Sequence, residues 1–242
     1  MTLSKSERHR YQRQLIVEGW DQDRLKNARV LIVGIGGLGG IIATHLTAVG
    51  VGSIRICDSD KVELSNLNRQ IMFSTDDIGH SKVAIAKKKV SNLNPEVKIE
   101  TFDNKLTEYN ITEMASGCDL IIDGLDNHQS RLILNKASYD LNIPYIYGAI
   151  NEWQGQISFF NPPKTPCLAC VMPNIMKGPN PVPVFGALPG IIGSMQATMA
   201  IRYLMTGETP LVGRLLILNA DRMTFEEVEF DRNPNCAVCG TR

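Results

Sequence analysis

The sequence predicts an α/β protein with a doubly wound, mainly parallel sheet, an antiparallel C-terminal extension and a structural zinc site. Three observations lead to this prediction. A glycine-rich segment, residues 34–39, directly follows a short apolar run. Strand-like apolar runs then alternate with segments of helical apolar spacing. Two Cys-x-x-Cys pairs lie late in the chain, at 167–170 and 236–239.

The first half of the chain alternates between strand and helix. Polar and apolar residues at roughly helical spacing predict a helix and a linker in the first thirty positions. Apolar β-branched runs that end at glycine or acidic residues predict parallel strands, and amphipathic segments predict the helices between them. The predicted strands cover 29–33, 53–58, 97–102, 120–123 and 144–147, and the predicted helices cover 41–49, 81–92 and 130–140.

The second half changes character after Gly148. Alternating runs predict half-exposed antiparallel strands, which lie at 156–160, 215–219 and 224–228. Five prolines in 171–189 exclude a continuous helix and predict an extended crossover loop, and an apolar helix follows at 190–205. Because no internal repeat is found, we expect a doubly wound, Rossmann-like sheet with an antiparallel extension rather than a solenoid. The change of character divides the expected single domain, 1–242, into a nucleotide-binding half, 1–150, and an antiparallel, zinc-binding half, 151–242.

The composition excludes several classes of function. With 25 basic and 25 acidic side chains, the 242-residue chain lacks the excess of cations that a general nucleic-acid binder needs. The first residues contain no apolar leader, and no later run approaches the roughly 20 apolar residues of a membrane span. We therefore expect a soluble, cytoplasmic protein with no nucleic-acid partner and no membrane partner.

The glycine-rich segment predicts a nucleotide site. Gly34, Gly36 and Gly39 fit the pattern G-x-G-x-x-G, with Gly37 between them, directly after a predicted strand. Glycines there let the backbone approach phosphate, and the following helix N-terminus points N–H groups at it. Asp58 ends the next predicted strand, where a carboxylate can hold a ribose hydroxyl. The alternative is a tight strand-to-helix turn, with Asp58 as a local cap.

Charged and amide side chains gather after the second predicted strand. Asn66, Arg69 and Gln70 lie in a segment without an amphipathic period, and an arginine fork flanked by amides suits a triphosphate. Lys82 opens the next helix, where an ammonium can reach phosphates as a point charge. Asp126 follows a later apolar strand, at the edge where ligands bind, and its carboxylate suits Mg²⁺. A solvated turn is the alternative for the first group.

The late cysteines predict a structural metal site. Cys167, Cys170, Cys236 and Cys239 can present four thiolates to one tetrahedral Zn²⁺, which leaves no open position for catalysis. Such a site would clamp the C-terminal tail onto the base of the crossover loop. A redox dithiol, or two disulfides in an oxidising compartment, are the alternatives.

Together these motifs resemble those of the ThiF/MoeB/HesA family, bacterial and archaeal relatives of ubiquitin-activating enzymes, closest to members that serve molybdopterin synthesis. The segments 10–14 and 193–197 also look like family segments. The resemblance implies an adenylyltransferase that uses ATP and Mg²⁺. It would adenylylate the C-terminal glycine carboxylate of a ubiquitin-like sulfur-carrier protein ending in Gly-Gly and release pyrophosphate, for sulfur transfer in molybdopterin or thiamine biosynthesis.

The resemblance also implies roles for single residues. It assigns Asp58 to the ATP ribose, Asp126 to the Mg²⁺ and Asn127 to the nucleotide site. It assigns the phosphates to Asn66, Arg69, Gln70 and Lys82. Arg13 would reach in from the second subunit of a homodimer, and the half 151–242 would also bind the carrier.

The chain departs from the family pattern in one place. Several relatives have a cysteine in the crossover loop for a covalent step, whereas 171–189 contains none and Pro179 falls near its place. We therefore expect adenylation only, with a separate protein as the sulfur donor.

Two other functions are alternatives. An adenylating enzyme that acts on a short ribosomal peptide in antibiotic biosynthesis would have a similar active site. An NAD-binding redox protein or a nucleotide-sensing protein belongs to another class, and the cluster of Asn66 and Arg69 argues against it. The absence of an evident hydride-acceptor constellation argues against it as well.

Overall fold

The computed structural model describes residues 3–172 and 182–240, which form one eight-stranded sheet. The strands are β1 (Arg29–Val33), β2 (Ser53–Cys57), β3 (Lys98–Phe102), β4 (Leu120–Asp123), β5 (Tyr145–Asn151), β6 (Gln154–Phe160), β7 (Arg214–Asn219) and β8 (Thr224–Glu229). Their order across the sheet is β3-β2-β1-β4-β5-β6-β7-β8. The pairs among β1 to β5 are parallel, and those from β5 to β8 are antiparallel. The predicted doubly wound sheet with an antiparallel extension is confirmed.

The α-helices of the described residues are α1 (Lys5–Arg10), α2 (Gln22–Asn27), α3 (Gly37–Ala48), α4 (Lys82–Leu93), α5 (Ile111–Ala115), α6 (His128–Leu141), α7 (Leu168–Val171) and α8 (Ala187–Thr206). The sequence pattern does not predict α5, because five residues are too few to show a helical period. Within 3–172 and 182–240 no helix is both long and apolar enough to cross a membrane.

The start of α8 corrects one prediction. The crossover loop does not extend to Pro189, because α8 already begins at Ala187. Pro189 lies in the first turn of α8, where the N–H that proline lacks would have no partner within the helix. Proline therefore does not break this helix, although it made the segment look extended.

Helices cover both faces of the parallel part of the sheet. On one face, α3, α4 and α8 pack over a core that includes Ile32 and Ile122. On the other face, α5 and α6 pack over a core that includes Leu31 and Ile121. The apolar residues of β1 and β4 are all buried as a result, which explains why these strands are continuous apolar runs in the sequence.

The antiparallel extension ends in an exposed edge strand. All six residues of β8 are exposed, so the prediction of a half-exposed strand is wrong for this one. The strand lies last in the sheet order and carries three glutamates. One of them, Glu227, forms a 2.7 Å ion pair with Arg214 of β7. Charge on an edge strand disfavours pairing with another chain.

The winding direction of the chain reverses between β1 and β4. The chain moves outward from β1 through β2 and β3, and then returns to form β4 on the other side of β1. The connection after β1 leads to α3 on one face, and the connection after β4 leads to α6 on the other. In open α/β sheets, ligands bind in the crevice that such a reversal opens beyond the strand ends.

Gly39, in the first turn of α3, lies too close to the preceding loop to accept a side chain. A Cβ there would lie 1.8 Å from the carbonyl oxygen of Gly34. We expect Gly39→Ala to lower the free energy of unfolding by about 1–3 kcal/mol, because overpacking outweighs the gain in helix propensity. Denaturant titration followed by circular dichroism measures this change.

The matched control is Gly190→Ala in α8, where a Cβ would meet no atom within 4 Å. Only helix propensity changes at that position, so Gly190→Ala should raise the free energy of unfolding by about 0.5–1 kcal/mol. Equal effects at the two positions would contradict the steric explanation.

Candidate active site

The glycine loop joins β1 to the N-terminus of α3. Gly34 has a φ of 87°, a conformation that favours glycine, and its N–H donates to the carbonyl oxygen of Cys57 at 2.8 Å. No side chain caps α3, which begins at Gly37. The first N–H groups of α3 and the positive end of its dipole are therefore available to an anion. The predicted strand, loop and helix are confirmed.

Asp58 and Lys82 lie beside the glycine loop. The Asp58 carboxylate accepts the N–H groups of Ile35 and Asp60, each at 2.8 Å. Burial raises the pKa of Asp58, and these bonds and the nearby Lys82 ammonium oppose the rise. Nζ of Lys82 lies 2.9 Å from Oδ2 of Asp60, and the Lys82 side chain is only 6% exposed. Sequence reasoning did not single out Asp60, which shares the loop after β2 with Asp58.

Gln70 lies against the glycine loop. Its Nε2 is 3.4 Å from the position that a Cβ would take at Gly36. Gln70 is buried, and its Oε1 has no hydrogen-bond partner within the residues that the structure describes. A buried acceptor without a partner is unusual, and a hydrogen-bond donor on a bound ligand would satisfy it.

Asn66 and Arg69 lie in the same turn as Gln70. Oδ1 of Asn66, a buried residue, accepts the N–H of Glu63 at 3.1 Å. Nη1 of Arg69 donates to the Ser65 carbonyl oxygen at 2.9 Å and to Oδ1 of Asn68 at 3.0 Å. The other guanidinium N–H groups have no partner in the described segments, so they remain available to phosphate oxygens.

Asp126 and Asn127 follow β4 at the same edge of the sheet. Asp126 is exposed, and its carboxylate has no partner in the part of the chain that the structure describes. Oδ1 of Asn127 accepts the N–H of Ser130 at 3.0 Å, so this side chain caps α6. A backbone contact ties this loop to the glycine loop, since Gly124 N–H donates to the Val33 carbonyl oxygen at 2.8 Å.

Sequence reasoning missed a buried ion pair beneath this loop. Asp123 is fully buried, and its Oδ2 lies 3.0 Å from Nε of Arg131 in α6. Burial raises the pKa of Asp123, and Arg131 and the Tyr145 hydroxyl oppose the rise. An acidic residue at the end of an apolar strand, followed by an arginine in the next helix, is the sequence signal that could have revealed the pair.

The structure does not bring Arg13 to the glycine loop within one chain. Arg13 is exposed in the turns after α1. Its neighbour Gln14 donates to the carbonyl oxygen of Val49 at 2.9 Å, at the C-terminal end of α3. Because α3 has 12 residues, this end lies about 18 Å from the glycine loop.

The end of the crossover loop packs on the segment that carries Arg69. A Cβ at Gly186 would lie 2.2 Å from the carbonyl oxygen of Asn68, and Pro189 packs on Gly37. Phe185 contacts Trp153 at the turn between β5 and β6, with ring centroids 4.5 Å apart. Residues 173–181, which include Pro179, lie outside the described residues.

The four cysteines of the two Cys-x-x-Cys pairs converge. The Sγ atoms of Cys167, Cys170, Cys236 and Cys239 all lie within 4.8 Å of one another. The contacts across the two pairs are 3.6 Å and 3.2 Å. Asn135 of α6 supports the cluster, donating to Cys167 Sγ at 3.6 Å. The arrangement could hold one metal ion.

Comparisons with known proteins show which family the chain resembles. The model of the ThiF family matches residues 11–238. The sulfur carrier protein adenylyltransferase of Thermus thermophilus is 38% identical, over 99% of this chain and 93% of that protein. The molybdopterin-synthase adenylyltransferase of Salmonella typhimurium is 36% identical, over 98% of each. The crystal structure of Escherichia coli MccB with ATP is 26% identical, with a TM-score of 0.79, covering 90% of this chain and 68% of that one.

The match to the family spans most of the chain, and both curated relatives align along nearly their whole length. Both are adenylyltransferases, an enzyme class within the nucleotidyltransferases. The chain therefore belongs to the ThiF family and is an adenylyltransferase.

Proposed function

We propose that this chain adenylylates the C-terminal glycine carboxylate of a ubiquitin-like sulfur-carrier protein, using ATP and Mg²⁺ and releasing pyrophosphate. The observation that carries the proposal is the group of Asp58, Lys82 and Gln70 around the uncapped N-terminus of α3. The names of the Thermus and Salmonella relatives, which specify a sulfur carrier protein and molybdopterin synthase, support this substrate class. The product would serve sulfur transfer in molybdopterin or thiamine synthesis.

Each site residue has a proposed role that its position supports. Asp58 holds the ribose, and Asp126 holds the Mg²⁺ that accompanies the triphosphate. The phosphates are bound by Asn66, Arg69, Gln70 and Lys82, together with the backbone N–H groups of Gly34, Gly36, Gly37 and Gly39. Asn127 shapes the nucleotide site as the cap of α6, and its amide oxygen is already engaged there.

The reaction joins two anions. A carboxylate oxygen of the carrier attacks the α-phosphorus, a new O–P bond forms, and the bond to the bridging oxygen breaks as pyrophosphate leaves. Arg69 and Lys82 neutralise the charge that accumulates, and the uncapped end of α3 orients the phosphates for in-line attack. No side chain needs to act as a nucleophile.

Binding of the triphosphate requires Lys82 to exchange partners. Its ammonium pairs with Asp60, whose side chain is 65% exposed. Water can solvate the Asp60 carboxylate when the ammonium turns to the phosphates, so the exchange leaves no buried charge without a partner. We propose that this ion pair holds Lys82 in place until ATP arrives.

A homodimer would complete the site. Arg13 lies at the far end of α3 from the glycine loop of its own chain, so we propose that it reaches the site of a second subunit. Ile16 and Val17, in the same turns, are 78% and 53% exposed, which supports an interface there.

The two halves of the chain would have different roles within one domain. We propose that 1–242 is a single adenylation domain, since one sheet runs through both halves. The half 1–150 binds the nucleotide, and the half 151–242 receives the carrier with its extended Gly-Gly tail. Because 171–189 contains no cysteine, a separate protein would donate the sulfur.

We propose that the cysteine cluster binds Zn²⁺ as a structural ion. Four thiolates at about 2.3 Å from zinc place sulfur atoms about 3.8 Å apart. The observed contacts of 3.6 Å and 3.2 Å, with all four atoms within 4.8 Å, fit such a site. The ion would tie Cys236 and Cys239 of the C-terminal tail to α7.

Adenylation of a short ribosomal peptide is the second candidate. The similarity to MccB, a Microcin C7 biosynthetic enzyme, supports this alternative. At 26% identity, however, it is lower than the similarity to the two adenylyltransferases. The redox alternative has no support from these relatives.

Purified protein with Mg²⁺, ATP and a carrier that ends in Gly-Gly should catalyse ATP–pyrophosphate exchange that depends on the carrier. Arg69→Ala should lower the exchange rate by about 10²- to 10³-fold, because it removes a donor that neutralises the transition state. Incorporation of labelled pyrophosphate into ATP measures the rate.

Arg222→Ala is the matched control, because Arg222 is exposed in the turn between β7 and β8. Only its backbone N–H is hydrogen-bonded in the described structure, to Oδ1 of Asn219. The variant should keep the rate of the wild type. Exchange that requires a short ribosomal peptide would favour the second candidate, and NADH binding without exchange would refute adenylation.

Elemental analysis of reduced, unchelated protein should find about one zinc per chain, because a four-thiolate site holds a single ion. Cys236→Ser should lose most of this zinc. Cys118→Ser should retain it, since Cys118 is buried next to Arg55, outside the cluster. Wild-type protein without metal would refute the site.

A further inference from the structure

The buried ion pair of Asp123 and Arg131 lies under the loop that carries Asp126. Asp123 is the last residue of β4, Arg131 lies in α6, and the loop 124–127 joins the two. We propose that Asp123 and Arg131 are positioning residues that set the direction in which Asp126 presents its carboxylate to the metal-bound triphosphate. This inference rests on the role proposed above for Asp126.

The ion pair binds the backbone of the loop next to Asp126. Oδ1 of Asp123 accepts the N–H of Leu125 at 2.8 Å, and Nη2 of Arg131 donates to the Leu125 carbonyl oxygen. Both polar backbone groups of Leu125 are therefore held. On the other side, Asn127 is held as the cap of α6. Asp126 lies between two fixed neighbours, while its own side chain stays exposed.

The ion pair is itself fixed by groups from both faces of the sheet. The Tyr145 hydroxyl donates to Oδ2 of Asp123 at 2.7 Å, and Nη2 of Arg131 donates to the Gly148 carbonyl oxygen at 3.0 Å. From the α8 face, Nε2 of Gln196 donates to the main-chain oxygen of Asp123 at 2.7 Å. The position of the loop therefore depends on β4, β5, α6 and α8 together.

Stability alone does not explain this arrangement. Desolvation of two buried charges often cancels their attraction, and apolar residues at such positions can be equally stabilising. The hydrogen bonds of Arg131 that do not reach Asp123 go to backbone oxygens of the loop and of β5. Fixing a loop in this way gives the precision of about 0.5 Å that a ligand-binding carboxylate needs.

Arg131→Lys tests the proposal. Lysine keeps the positive charge beside Asp123, but it lacks the planar fork that reaches Asp123, Leu125 and Gly148 at once. The measurement is the ratio of the Kd for ATP in EDTA to the Kd in excess Mg²⁺, by isothermal titration calorimetry. The ratio isolates the contribution of the metal and does not depend on catalysis. We expect Arg131→Lys to lower it roughly tenfold, as loss of a residue that orients a metal ligand commonly does.

Two further variants separate positioning from stability. Arg131→Lys combined with Asp126→Ala should have the same ratio as Asp126→Ala alone, because Arg131 acts through Asp126. The matched control is Lys26→Met, which breaks a different ion pair, the one that Lys26 forms with the buried Glu7. It should lower stability and leave the ratio unchanged. Amide hydrogen exchange at 125–126 should become faster in Arg131→Lys and not in Lys26→Met.

The possible failures are distinguishable. If Asp126→Ala lowers the ratio and Arg131→Lys does not, the positioning role is wrong and the proposed function stands. If the wild type does not bind ATP, or Asp126→Ala leaves the ratio unchanged, the role of Asp126 in the proposed function fails and the inference falls with it. If circular dichroism shows that Arg131→Lys does not fold, the double variant Asp123→Asn with Arg131→Met, which removes both charges, replaces it. The same ratio of Kd values is then measured for the double variant.

Discussion

The site depends on the close approach of two backbone segments at the ends of β1 and β4. A Cβ at Gly34 would lie 2.6 Å from the Gly124 carbonyl oxygen, and one at Gly124 would lie 2.2 Å from the Gly34 carbonyl oxygen. Side chains at these positions would force the two loops apart. Their contact keeps the uncapped end of α3 and the loop of Asp126 in one crevice, at the edge of the sheet where ligands bind in open α/β folds.

The two ion pairs of the crevice differ in burial, and this difference determines what each pair can do. Lys82 pairs with an acid that is 65% exposed, so its ammonium can change partners when an anion enters. Arg131 pairs with Asp123, which has no exposed surface, and a separation there would leave a charge in the core. The first pair is suited to bind and release a ligand, whereas the second is suited to hold a loop still.

The second half of the chain completes the crevice and ties it to the tail. Gly186 and Pro189 pack on the backbone of the segment that carries Arg69 and on the glycine loop. The cysteine cluster joins α7, at the start of the crossover, to the last residues of the structure. Residues of the second half therefore pack around the polar groups that the first half contributes to the crevice.

The sequence by itself determined the strand at 29–33, the glycine loop and the helix that follows it, the carboxylate after β2, and the two Cys-x-x-Cys pairs. These depend on local period and spacing, which a chain shows before it folds. Only the tertiary structure decided that β8 is an exposed edge, that Gln70 has an unpartnered oxygen and that Arg131 holds the loop of Asp126. Burial and pairing depend on which distant segments become neighbours, and no local pattern records that.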